Sequence, residues 1–74
     1  MATVTTTLVD QIGETAGTVW HTLDECGPLS YTKLIKRIDA PRDVSLQAIG
    51  WLAREDKIEI EETNRGRIIS LTYR

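Results

Sequence analysis

Side chains with reactive or ligand-binding chemistry are few in this chain of 74 residues, and their spacing narrows what it can do. Cys26 is the only cysteine and His21 the only histidine. One thiol excludes an internal disulfide, and one thiol with one imidazole cannot complete a Cys/His zinc site within a single chain. His21 stands five positions before Cys26 with no third residue arranged to activate the pair. Cys26 therefore reads as a small packing residue at a helix end, and His21 as a surface residue. Glu59, Glu61 and Glu62 form a carboxylate cluster, but their near-alternation fits a charged strand edge that discourages edge-to-edge pairing better than acid–base work. No glycine loop with phosphate-cradling spacing and no metal-ligand spacing is present. The expectation is a protein that is not an enzyme and takes no cofactor and no metal.

Cations are the remaining chemically useful groups. Lys33, Lys36 and Arg37 sit close together, Arg42 and Arg54 bracket a thirteen-residue stretch, and Arg65 and Arg67 flank Gly66. Such residues neutralise phosphates when an architecture brings them onto one face, and otherwise make an ordinary solvated surface.

The elements that must position them can be read from hydrophobic spacing. Leu8, Ile12, Ala16, Val19 and Leu23 recur at four, four, three and four residues, the stripe of an amphipathic helix from about Leu8 to Cys26. Thr7 with Asp10 offers its N-terminal cap, and Gly27-Pro28 stops it. Residues 1–7, rich in threonine, are expected to form a flexible N-terminus ahead of one domain spanning 8–74. Pro28-Leu29 allows a strand of two or three residues. Ser30 can cap a second helix, with Tyr31, Leu34, Ile35 and Ile38 inward and Lys33, Lys36 and Arg37 on the opposite side. Asp39-Ala40-Pro41 ends it. A third helix follows, capped by Asp43, with Val44, Ala48, Ile49 and Leu52 inward and an exit at Asp56-Lys57.

The period then changes from helical to two. Ile58 and Ile60 alternate with Glu59 and Glu61, and Thr63-Asn64-Arg65-Gly66 is turn chemistry with Gly66 suited to positive φ. Arg67 to Tyr73 returns as a strand with Ile69, Leu71 and Tyr73 on one face and Ser70 and Thr72 on the other; Ile68 on the polar face breaks the pattern. A lone hairpin is marginal in water and must pack on the helices, with the short strand near Leu29 free to join its edge. Three helices and a C-terminal hairpin in this order predict an α+β winged helix-turn-helix domain.

Residues 48–58, Ala-Ile-Gly-Trp-Leu-Ala-Arg-Glu-Asp-Lys-Ile, with Ala16-Gly17-Thr18-Val19-Trp20 upstream, carry a family resemblance as well. Over roughly residues 10–72 the chain resembles a family of small prokaryotic winged helix-turn-helix proteins. The resemblance implies the fold directly and a DNA-binding or transcription-associated role by architecture.

In that architecture the third helix enters the major groove and the second crosses the phosphate backbone. The outward residues of the third helix are expected to be Ser45, Leu46, Gln47, Gly50, Trp51 and Arg54. Gln47 and Ser45 can reach base edges, while Arg42 and Arg54 can neutralise phosphates. Lys33, Lys36, Arg37, Arg65 and Arg67 would add a discontinuous basic surface. From Asp39 to Asp56, however, four acidic residues outnumber two basic ones, which weakens this helix as a DNA reader. Leu46, Gly50 and Trp51 support a second reading, a protein-interaction module, most simply a homodimer. Trp51 is either an outward anchor or a lid folded over the hairpin, and Gly50 suggests that something approaches closely there. Gly13 and Gly17, one turn apart, mark close approach either of a partner helix or of the domain's own short strand or third helix; Trp20 nearby is expected to anchor the core.

Composition agrees with both readings. Hydrophobic residues make up 41% and charged residues 27%, an ordinary globular balance. Net charge is −2, which argues against coating nucleic acid by bulk charge. The charge is segregated: residues 1–27 hold Asp10, Glu14, Asp24 and Glu25 without Lys or Arg, a net −4, so residues 28–74 carry +2. No apolar run suits a bilayer and the first residues do not resemble a signal peptide, so a cytoplasmic location and no membrane partner are expected.

Overall fold

A computed structural model describes residues 7–72. The expectations for residues 1–6, for the cap at Thr7 and for Tyr73 lie outside the described residues and side chains. Three helices, α1 (Thr7–Cys26), α2 (Tyr31–Arg37) and α3 (Arg42–Arg54), accompany three strands, β1 (Leu29–Ser30), β2 (Ile58–Thr63) and β3 (Gly66–Leu71). The strands form one antiparallel sheet in the order β1-β3-β2. This is the α+β winged helix-turn-helix arrangement expected from the pattern.

On α1, Ala16, Val19 and Leu23 are buried and Ile12 half-buried, but Leu8 at the outer end is exposed. Gly27 ends α1 in the left-handed region (φ 81°), its N–H donating to the Leu23 carbonyl at 2.8 Å. The two-residue β1 follows at once and pairs with β3, Leu29 opposite Ile69 and Ser30 opposite Ile68. Ser30 then serves a second purpose: its Oγ accepts the Lys33 N–H at 3.2 Å and caps α2.

The start of α3 differs from expectation. Its N-cap is Pro41, without a side-chain cap, and Asp43 lies inside the first turn, where its Oδ1 accepts the Val44 N–H at 2.8 Å. Proline fits because the position needs no N–H and has a fixed φ, while a first-turn carboxylate still complements the positive helix end. At the other end Asp56 turns left-handed (φ 66°), and Lys57 N–H reaches back to the Leu52 carbonyl at 2.9 Å. That bond is of the kind that closes a Schellman-type stop.

The hairpin turns tightly between Thr63 and Gly66. Thr63 Oγ1 donates to the Gly66 carbonyl at 2.9 Å and accepts the Arg65 N–H at 3.2 Å, while Gly66 takes φ 129°. Ile58 and Ile69 are buried with Leu34, Ile38, Ile49 and Leu52 in the single core. Ile60, expected to be half-buried like Ile58, is exposed, because the helices cover only the Ile58 end of the hairpin. Ile68 finds its reason in the topology: on the central strand it lies between Ser30 and Glu61, and these neighbours leave it half-buried.

Candidate nucleic-acid interface

The N-terminal ends of α2 and α3 and the wing meet over a concavity of about 490 Å³. Its walls bring together Tyr31 and Thr32 at the start of α2, Arg42 at the start of α3, and Arg65 and Arg67 at the hairpin. Arg42 and the two wing arginines, more than twenty residues apart in the chain, therefore share one cleft. Glu62 also lines it, directly opposite Arg67 in the strand register. Arg67 Nε donates to Glu62 Oε2 at 3.1 Å, and its guanidinium carbon stands 5.8 Å from the Tyr31 ring centroid. Arg67 is thus held between a carboxylate and an aromatic face, both of which orient it without burying it. Arg42 and Arg65 make no ion pair among the described residues. Three arginines against one glutamate leave the cleft with a formal surplus of two positive charges.

The cations of α2 divide. Lys36 follows Thr32 by four residues and shares its side of the helix, one turn beyond the cleft wall. Lys33 and Arg37 form the next i, i+4 row, about 100° further round, and face solvent there. Arg54 is exposed at the far end of α3, roughly 18 Å from Arg42 along the axis. Of the cations expected to form a basic surface, Arg42, Arg65 and Arg67 line the cleft, whereas Lys33, Lys36, Arg37 and Arg54 do not.

Ser45 is corrected by the structure. It is fully buried, and its Oγ has no hydrogen-bond partner among the described residues, so it cannot reach a base edge. The cause is helical phase: Ser45 precedes Ile49 by four residues and Leu52 by seven, which puts it in the inward stripe. Gln47, in contrast, is exposed on the outer arc with Leu46, Gly50 and Arg54.

Leu46, Gly50 and Trp51 do not make one patch. Leu46 and Trp51 are each 39% exposed, but five residues at about 100° each separate them by about 140° round α3. Trp51 turns toward α1 and is no lid over the hairpin; it lines a second concavity of about 440 Å³ with Gly13, Gly17, Trp20 and His21. A Cβ added at Gly13, Gly17 or Gly50 would meet nothing within 4 Å, so the close approach expected at these glycines is absent within the domain. Trp20 is half-buried against the core as expected, its ring edge-to-face with the exposed His21 at 5.5 Å. Cys26, expected to pack, is an exposed free thiol: it continues the Val19–Leu23 spacing but is the last residue of α1.

Tyr31 and Glu62 were not singled out as cleft residues from the chain alone. Glu62 carried a usable signal: a two-residue turn between Thr63 and Gly66 puts it across from Arg67. Tyr31 carried none, since its meeting with Arg67 depends on how the hairpin docks.

Among the described residues, no group of three or more His, Cys, Asp and Glu side chains is placed to hold a metal ion, and no helix is long and apolar enough to cross a membrane. Residues 8–71 match a family described as winged helix-turn-helix domain (DUF2582). The chain is 36% identical over 63 residues to an uncharacterized protein of Methanocaldococcus jannaschii, covering 82% of this chain and 90% of that protein. It is also similar to a Bacteroides thetaiotaomicron protein solved by solution NMR, at 35% identity and a TM-score of 0.74, covering 84% of this chain and 76% of that one.

Proposed function

Because the chain belongs to the winged helix-turn-helix domain family DUF2582, we propose that it is a duplex-DNA-binding, transcription-associated module that grips the phosphate backbone with its α2–α3–wing cleft. The observation that carries this reading is the convergence of Arg42, Arg65 and Arg67 in one solvent-open concavity, with Lys36 one turn beyond. Arg42 and Arg65 are the free phosphate ligands. Arg67, braced by Glu62 and Tyr31, sets the spacing between wing and helix. Gln47 is the best-placed base-edge reader, since its amide can pair with adenine in the major groove. Leu46 and Gly50 beside it offer no hydrogen-bonding side chain, and Asp43 on the same arc repels phosphate. Binding is accordingly dominated by backbone contacts, with modest discrimination between sequences.

Fluorescence anisotropy of a labelled duplex tests this. The cleft surplus of two charges plus Lys36 gives about three neutralised phosphates, a slope near −2.7 in log affinity against log salt, and roughly a 40-fold loss between 50 and 200 mM. Arg65→Gln should flatten the slope by about one unit. Absence of duplex binding at 50 mM salt, or a slope indifferent to Arg42→Gln and Arg65→Gln alike, removes the proposal.

A second reading, a protein-interaction module, draws on the exposed Trp51. Trp51 lies on the flank of α3 away from the arginine cleft, so the two contacts do not compete for the same residues.

A further inference from the structure

The groove between α1 and α3 has features that the fold of this domain alone does not require. Gly13 and Gly17 sit in the interior of a twenty-residue helix, where glycine weakens the helix relative to alanine. Neither has the positive φ that would demand glycine, and neither has an atom of the domain within 4 Å of its Cβ position. They leave a shallow strip one turn long, continued toward the helix start by the exposed Val9, four residues before Gly13. Trp20 and Trp51 flank the strip from the two helices.

The rim supplies the second observation, charge. Asp10, Gly17 and Asp24 repeat every seven residues and so share one side of α1, whereas Glu14 lines a separate concavity with Asp39 and Val44. Across the groove, Glu55 already occupies Lys57 at 3.6 Å. The α1 helix has four carboxylates, Asp10, Glu14, Asp24 and Glu25, and no Lys or Arg. A second copy docked symmetrically on this face would set two such helices against each other, and like charges oppose it. Nucleic acid is disfavoured for the same reason.

We infer that the α1–α3 groove is a docking surface for a cationic amphipathic helix of another protein. The partner's small or branched apolar residues lie over Gly13 and Gly17 between the two indoles, and its Lys and Arg side chains meet Asp10 and Asp24. Helix-in-groove recognition works by this division of labour: apolar anchors supply contact area and the charged rim supplies orientation.

Titration calorimetry with an amidated eighteen-residue Leu/Lys helical peptide, against a Leu/Glu peptide of the same apolar pattern, tests this on the whole chain at 150 mM salt. The Leu/Lys peptide should bind at least tenfold more tightly. In an NMR titration it should shift the Gly13 and Gly17 amides and the Trp20 and Trp51 indole signals, leaving the wing unmoved. Gly17→Leu fills the strip without changing charge and should weaken binding at least tenfold while the circular dichroism spectrum is retained. Trp51→Ala should do the same. Equal binding by the original chain and both variants would reduce the attraction to bulk charge and overturn the inference. So would failure of both peptides to bind, or a concentration-dependent dimer in sedimentation that Trp51→Ala abolishes, which would make a second copy the occupant.

Discussion

Replacing Ser45 with alanine should stabilise the protein and leave its DNA affinity unchanged. Ser45 is fully buried in α3, and its Oγ has no partner among the described residues, although its own N–H donates to the Pro41 carbonyl at 2.9 Å. An unpaired buried hydroxyl costs about 1–3 kcal/mol of desolvation. Alanine removes that cost and adds about 0.5 kcal/mol of helix preference. Against this stands the void left by one oxygen atom, a few tenths of a kcal/mol at about 24 cal/mol per Å³. The net gain is about 1–3 kcal/mol, which for a domain of this size raises Tm by at least about 4 °C. Paired urea and thermal melts of the two proteins measure it. A loss of about 1 kcal/mol instead would mean that the hydroxyl is hydrogen-bonded in the core, and the reasoning from its isolation would fail. A fully folded variant with reduced duplex affinity would return Ser45 to the interface.

Backbone conformation supplies contrasting tests. Gly66→Ala, at φ 129°, should destabilise by about 1–3 kcal/mol in a denaturant melt, because side chains are strained in that region. Asp56→Gly, at φ 66°, should stabilise by about 0.5–1 kcal/mol by relieving a left-handed residue at the end of α3. Gly13→Ala should also stabilise, by about 0.5–1 kcal/mol, since its Cβ meets open space in a helix interior. Within the arginine cleft, Glu62→Gln frees Arg67 and should tighten duplex binding roughly two- to fivefold at low salt. Unchanged anisotropy in that variant would mean that Arg67 does not face phosphate.

Much of the fold was legible because local rules and the tertiary result agree. Ser30 looks like a cap and is one; Gly66 suits positive φ and takes it; the two-residue strand at Leu29 joins the sheet because the hairpin needs a third member. Ser45 was misplaced through chemistry overriding phase. Its spacing to Ile49 and Leu52 already put it on the inward stripe, and only its hydroxyl argued for the surface. The glycines of α1 and Trp51 failed for a different reason. Whether a helix face meets its neighbour or leaves a groove depends on the crossing of α1 and α3, which no local pattern encodes. The arginine cleft has the same origin, as Arg42 and Arg67 are brought together by hairpin docking.

Helix α3 is where the two surfaces can be separated. Arg42 faces the wing on one flank and Trp51 faces α1 on the other, and the two concavities share no residue. The charge follows the same line, with −4 before Gly27 from Asp10, Glu14, Asp24 and Glu25, and +2 beyond it. At physiological salt, exposed charges further apart than about 8 Å are largely screened from one another. Neutralising Asp10 and Asp24 should therefore change peptide binding in the groove while leaving the salt slope of duplex binding in place. Arg65→Gln should do the reverse. If one substitution moved both readouts with the fold intact, the surfaces would be coupled through α3 itself, and its two flanks could not be treated as independent sites.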